Sequence, residues 1–173
     1  MGTNSRALLA VGFFVAALVG AFSIQCNFNS SGDVLHDFKL DTWDGSRFYM
    51  SNHRGKIVVM VFWSVHCVPC HRQLGVLRRH ALVNDKSVTL VSVCVDPEDR
   101  ALVEQGVKIT DGRIPVLLDH KRTVGKRLRI KSEPTTLVID DKGSEIRRFV
   151  GYDSTTLAQI EKVVALLKQG SAK

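Results

Sequence analysis

From Ile57 to Phe62 the chain is apolar without a break, and it then turns sharply polar through Ser64, His66 and two cysteines, Cys67 and Cys70. A short uninterrupted apolar run of this kind predicts a buried strand. His71 to Leu82 instead carries Leu74, Val76, Leu77, Ala81 and Leu82 at helical spacing, which predicts a helix with one apolar side. Val88 to Val95 predicts a second buried strand. Asp96-Pro97-Glu98-Asp99 then reads as a helix start, with Pro at its first position and acidic residues in the first turn.

The remaining punctuation is equally readable. Asp44-Gly45, between Phe38-Lys39-Leu40 and Arg47-Phe48-Tyr49-Met50, predicts a hairpin. Ile114 to Leu118 predicts a short strand, followed by a basic helix from about Arg122 to Leu128. Thr135 to Ile139 and Glu145 to Val150 flank the turn Asp140-Asp141-Lys142-Gly143 and predict a closing antiparallel pair. Asp153 to Thr156 caps a last amphipathic helix reaching Leu167, with Gly170 to Lys173 expected to fray. Strands alternating with helices and a final hairpin make an α/β fold, a mixed sheet covered on both faces.

The first residues alter the compartment. Arg6 precedes Ala7 to Ile24, which is 18 residues without a charge. As a helix that is about 27 Å at 1.5 Å per residue, just under the ~30 Å of a bilayer core. Residues 1–25 thus read as a signal peptide or signal anchor, with Arg6 on the cytoplasmic side. Val19-Gly20-Ala21 offers a cleavage site, and Cys26 a lipid attachment point, although Gln25 suits the latter poorly. The uncut anchor is the preferred reading. Residues 26–37 read as a polar tether and 38–170 as one folded domain, placed outside the cytoplasm.

The composition, 45% hydrophobic and 24% charged over 173 residues, is that of a chain able to bury one core. The net charge of +7 reads as a solvated surface, and nothing resembles a nucleic-acid module.

The chemistry lies at Cys67-Val68-Pro69-Cys70. A strand leading into C-x-x-C and then a helix puts Cys67 at a helix N-terminus, where unpaired N–H groups and the dipole favour a thiolate. Cys70 lies one turn further in, within reach to close a disulfide. A zinc half-site lacks its second ligand pair, and a bridge across three residues would constrain too little chain to be structural. Cys94, within a strand, reads as a small buried hydrophobe.

Trp63 with Cys67-Val68-Pro69-Cys70, Val95-Asp96, Pro115 to Asp119, Glu133 to Asp140, and Gly143 together resemble the thioredoxin fold. More narrowly they are similar to the TlpA/ResA/CcmG-type thiol-disulfide oxidoreductases. The resemblance runs from about Phe38 to Leu167. It implies a thioredoxin fold with an N-terminal β-hairpin and a strand-helix insertion between Asp96 and Pro134. It also implies that Pro134 is a cis-proline facing the dithiol, with Thr135 starting the strand after it. The implied partners are protein disulfides, apocytochrome c among them in cytochrome c maturation, and a membrane electron donor. No cofactor and no metal are implied.

Three residues depart from that pattern. His66 stands where the family carries Trp, Gln73 where it carries a glutamate that handles a proton, and Gly75 where a proline kinks the helix. Val61 replaces the buried aspartate of thioredoxins proper. His66, and next to the second cysteine His71, are the expected tuning groups, since a charged imidazole at His66 would favour a Cys67 thiolate. Glu133 would act in the opposite sense. Two other functions could use the same fold. A thiol peroxidase would require Pro-x-x-x-Thr-x-x-Cys, but Met60 and Ser64 occupy the proline and threonine positions before Cys67. A Cu(I) metallochaperone could use the dithiol, but Met50 and Met60 lie upstream on strands.

Overall fold

The computed structural model describes Leu35 and residues 37–171. Segment 1–25, most of the 26–37 tether and Cys26 lie outside the described residues, and with them the anchor, cleavage and lipid readings. Among the described residues, no helix is long and apolar enough to cross a membrane.

The strands are β1 (Lys39–Thr42), β2 (Arg47–Tyr49), β3 (Ile57–Trp63), β4 (Val88–Cys94), β5 (Val116–Leu118), β6 (Thr135–Ile139) and β7 (Glu145–Val150). The helices are α1 (Val68–Leu77), α2 (Arg100–Thr110), α3 (Thr123–Arg127) and α4 (Thr156–Ser171). They form one seven-stranded sheet in the order β2-β1-β5-β4-β3-β6-β7. β3, β4 and β5 are parallel, whereas β6 runs antiparallel to β3 and to β7. The N-terminal hairpin β1-β2 joins the sheet through an antiparallel pairing of β1 with β5.

Every residue of β3 is buried. Its alternate side chains feed two cores, as the period of two in a strand requires. Ile57, Val59, Val61 and Trp63 face a core shared with Cys70, Leu74 and Leu77 of α1, Val103 of α2 and Ile160, Val163 and Val164 of α4. Val58, Met60 and Phe62 face the other core, with Leu35, Phe38, Met50, Val124 and Leu128. The Leu35 N–H also donates to Gly143 O (2.9 Å), and Asp37 accepts from Ser51 N (2.8 Å), so the end of the segment read as tether is packed onto the domain.

Strand ends shift by a residue or two, Met50 passing from the expected hairpin strand into a 3-10 turn. Each of the four helices departs from its expected bounds for a local reason. The helix expected over His71–Leu82 begins at Val68 and stops at Leu77; the chain turns, and a separate 3-10 turn at Ala81–Asn84 buries Leu82. His80 makes that break, accepting from Leu82 N at 3.3 Å and reaching Glu161 of α4 at 2.7 Å. The helix expected to start at Asp96 starts at Arg100, with Asp99 as its cap, because Asp96 is engaged elsewhere. The basic helix shortens to α3, since Lys121 and Arg122 adopt left-handed backbone. At the C-terminus the last helix does not fray from Gly170 but continues to Ser171, and Lys168 pairs with Asp85.

Trp63 is fully buried, and α2 crosses it at Gly106. A Cβ added to Gly106 would lie 2.1 Å from the indole ring. His71 meets the same indole edge-on, with ring centroids 5.8 Å apart.

Two outcomes are expected. Gly106→Ala should lower stability by about 1–3 kcal/mol through overpacking, despite alanine's better helix propensity. A urea midpoint at or above that of the parent protein would refute the contact. His71 is the second. Burial lowers its pKa below the ordinary 6.5. The folded state therefore binds the proton more weakly than the unfolded chain, so stability is full above the unfolded value and is lost as pH falls below it. His53 is lowered by burial in the same direction, so the comparison is between variants. Between about pH 7.5 and pH 5, His71→Phe should lose less stability than the parent protein. Equal losses would remove His71 from the acid response.

Candidate active site

The sharp end of β3 sets the geometry. After Trp63, Ser64 Oγ donates to Asp96 Oδ2 (2.9 Å) and Val65 N to Asp96 Oδ1 (3.0 Å). One carboxylate at the end of β4 thus clamps the loop that delivers the dithiol. Asp96 is the residue that sequence reasoning placed wrongly, as part of a helix start. The available signal was Val95-Asp96 ending a strand that neighbours the C-x-x-C strand.

Cys67 caps α1: its Sγ accepts from Cys70 N at 3.2 Å, and Pro69 lies in the first turn. Cys67 and Cys70 are joined by a disulfide with Cα atoms 5.2 Å apart. The two sulfurs differ in access. Cys67 is partly exposed and flanked by exposed His66, Val68 and Pro69, whereas Cys70 is 0% exposed. Ser64, which would be the peroxidase threonine, spends its hydroxyl on Asp96 rather than on a cysteine.

The β6 side completes the site. The Glu133–Pro134 bond is cis. Thr135 pairs with Phe62 across the sheet, which places Pro134 at the dithiol end of β3. Thr135 is buried and donates its hydroxyl to Ser132 O (2.7 Å), while Gly151 N donates to Pro134 O (2.7 Å). Glu133 forms an ion pair with Arg122 at 2.6 Å. Its charge is therefore matched from the inserted segment, which weakens the opposition to a thiolate expected of it from sequence. Trp63 lies in the same buried core as Cys70.

Two buried groups were not singled out as site residues. Gln73 is 1% exposed and donates from Nε2 to Thr136 Oγ1 at 2.7 Å. Cys94, in register with Trp63, is a free buried thiol whose Sγ lies 3.6 Å from Asp96 Oδ1. Burial pushes its pKa up to about 12. Among the described residues, no group of three or more His, Cys, Asp or Glu is arranged to hold a metal ion.

The comparisons agree with this arrangement. A model of the AhpC/TSA family matches residues 31–147. The thiol-disulfide oxidoreductase ResA of Bacillus subtilis is 28% identical over 142 residues, covering 82% of this chain and 78% of ResA. The solved structure of StoA from Bacillus subtilis superposes with a TM-score of 0.59 at 25% identity, over 73% of this chain and 96% of StoA. The exposed lipoprotein thioredoxin Etrx1 of Streptococcus pneumoniae reaches 0.64 at 21% identity, over 73% of this chain and 99% of its own, and shares the fold. A thioredoxin fold, a C-x-x-C disulfide at the head of α1 and these relatives lead to one assignment: the chain belongs to the AhpC/TSA family and is a ResA-like thiol-disulfide oxidoreductase.

Proposed function

We propose that Cys67 and Cys70 are the working dithiol of a membrane-tethered oxidoreductase outside the cytoplasm, which reduces protein disulfides. The observation that carries this reading is the difference in access, with Cys67 partly exposed at the helix head and Cys70 fully buried behind it. In the reduced protein the Cys67 thiolate, favoured by the Cys70 N–H and the α1 dipole, attacks one sulfur of a substrate disulfide. The substrate bond breaks, and its other sulfur leaves as a thiolate that takes up a proton. Cys70 then gives up its proton and attacks Cys67 Sγ. The Cys67–Cys70 bond forms and the second substrate thiol is released. Two electrons and two protons have passed to the substrate, and a membrane donor restores the dithiol.

Cys26 lies in the tether of this scheme, and apocytochrome c cysteines are the substrate that the family resemblance favours. The exposed Val68 and Val150 offer apolar contact to an unfolded chain beside the dithiol and Pro134.

Insulin reduction tests the chemistry. Cys67→Ser should reduce activity to background, whereas Cys70→Ser should still attack and accumulate a mixed disulfide. Full activity in the Cys67 variant would assign the nucleophile elsewhere. The location is tested separately. A reporter enzyme active only outside the cytoplasm, fused after Lys173, should be active, and labelled palmitate on Cys26 would replace the anchor by a lipid. A silent fusion alongside an active cytoplasmic reporter would reject the topology.

A further inference from the structure

We propose that Gln73 is a positioning residue for the second cysteine: its side-chain carbonyl receives the Cys70 S–H when the disulfide opens and keeps that proton on sulfur. The proposal rests on the dithiol reading above.

Gln73 is a polar side chain of α1 at 1% exposure, on the side of the helix that meets β6 at Thr136. Half of its amide is satisfied, because Nε2 donates to Thr136 Oγ1. The other half is not: Oε1 is buried without a partner. A buried acceptor left unmet is costly, and native structures rarely keep one without a reason.

The helix supplies the reason. Residues three apart on an α-helix are neighbours on one face, and side chains lean back over the preceding turn. Gln73 is three residues after Cys70, and both lie fully within the core. The Gln73 side chain therefore lies over the turn that carries the second sulfur. In the disulfide state Cys70 has no hydrogen to give, so Oε1 has nothing to accept.

Reduction changes that. When an incoming thiolate attacks Cys67 Sγ, the Cys67–Cys70 bond breaks and its electron pair leaves on Cys70 Sγ. A proton from solvent converts that thiolate into a thiol, which then donates to Oε1. A carboxylate at this position could remove the proton, but an amide cannot. Gln73 thus favours the dithiol over the disulfide and holds Cys70 as a thiol.

The test is equilibration of the full chain against glutathione redox buffers. Gln73→Leu keeps the volume and removes the acceptor, so its equilibrium should move toward the disulfide by about five- to tenfold, tenfold being about 30 mV. Gln73→Glu keeps an acceptor oxygen and can still take the Thr136 hydroxyl, so it should not share the shift of the leucine variant toward the disulfide. Should Gln73→Leu fail to fold, Thr136→Val releases the amide from its anchor and should shift the equilibrium in the same direction. A Gln73→Leu constant within twofold of the parent value would overturn the proposal and leave the dithiol reading intact. A parent protein that does not exchange with glutathione at all would overturn both.

Discussion

Everything in this molecule depends on β3 being buried on both faces. Seven consecutive residues, Ile57 to Trp63, are at most 4% exposed. A strand with no solvent face needs neighbours on each edge and a layer above and below. Those requirements are met by β4 and β6 at its edges, α1, α2 and α4 on one face, and α3 with the N-terminal segment on the other. Each fully buried side chain of this size contributes about 1.5–3 kcal/mol, so the strand is among the costliest elements to disturb. Polar chemistry is therefore confined to where β3 ends, and the dithiol sits there.

The architecture was legible wherever one residue type dominates a local choice. The apolar run predicted β3, Asp44-Gly45 the β1-β2 hairpin, and the Asp140–Gly143 turn the β6-β7 pair, the last two strands to the residue. The strand order was not open to such reading. That β5 is inserted between β4 and β1, tying the hairpin to the core, depends on pairings far apart in sequence. The C-x-x-C placement was equally plain, because strand, dithiol and helix follow one another directly.

What sequence reading missed was residues whose side chains reach across the fold. Asp96 looked like a helix cap because Pro97 and two further acids follow it, yet its carboxylate is taken up by Ser64 and Val65. Gln73 looked only like a lost glutamate, and its burial and its bond to Thr136 depend on β6, more than sixty residues on. His80 stopped α1 through contacts with Leu82 and Glu161 that no periodicity encodes. Glu133 gained its Arg122 partner only through the folding of the inserted segment. In each case a polar group competing for one partner overrode a local preference.

The hydrogen bond from Leu35 to Gly143 gives the molecule a front and a back. Gly143 lies in the turn after β6, past Ile139, which pairs with Val58 near the start of β3, whereas Thr135 pairs with Phe62 at the other end. The chain therefore enters the domain at the pole opposite the dithiol, about 20 Å away along β3 at 3.3 Å per residue. The described N-terminal residues and the dithiol thus occupy opposite ends of the same strand. A contact made at the Leu35–Gly143 end of the sheet therefore leaves the Cys67 end open to a substrate.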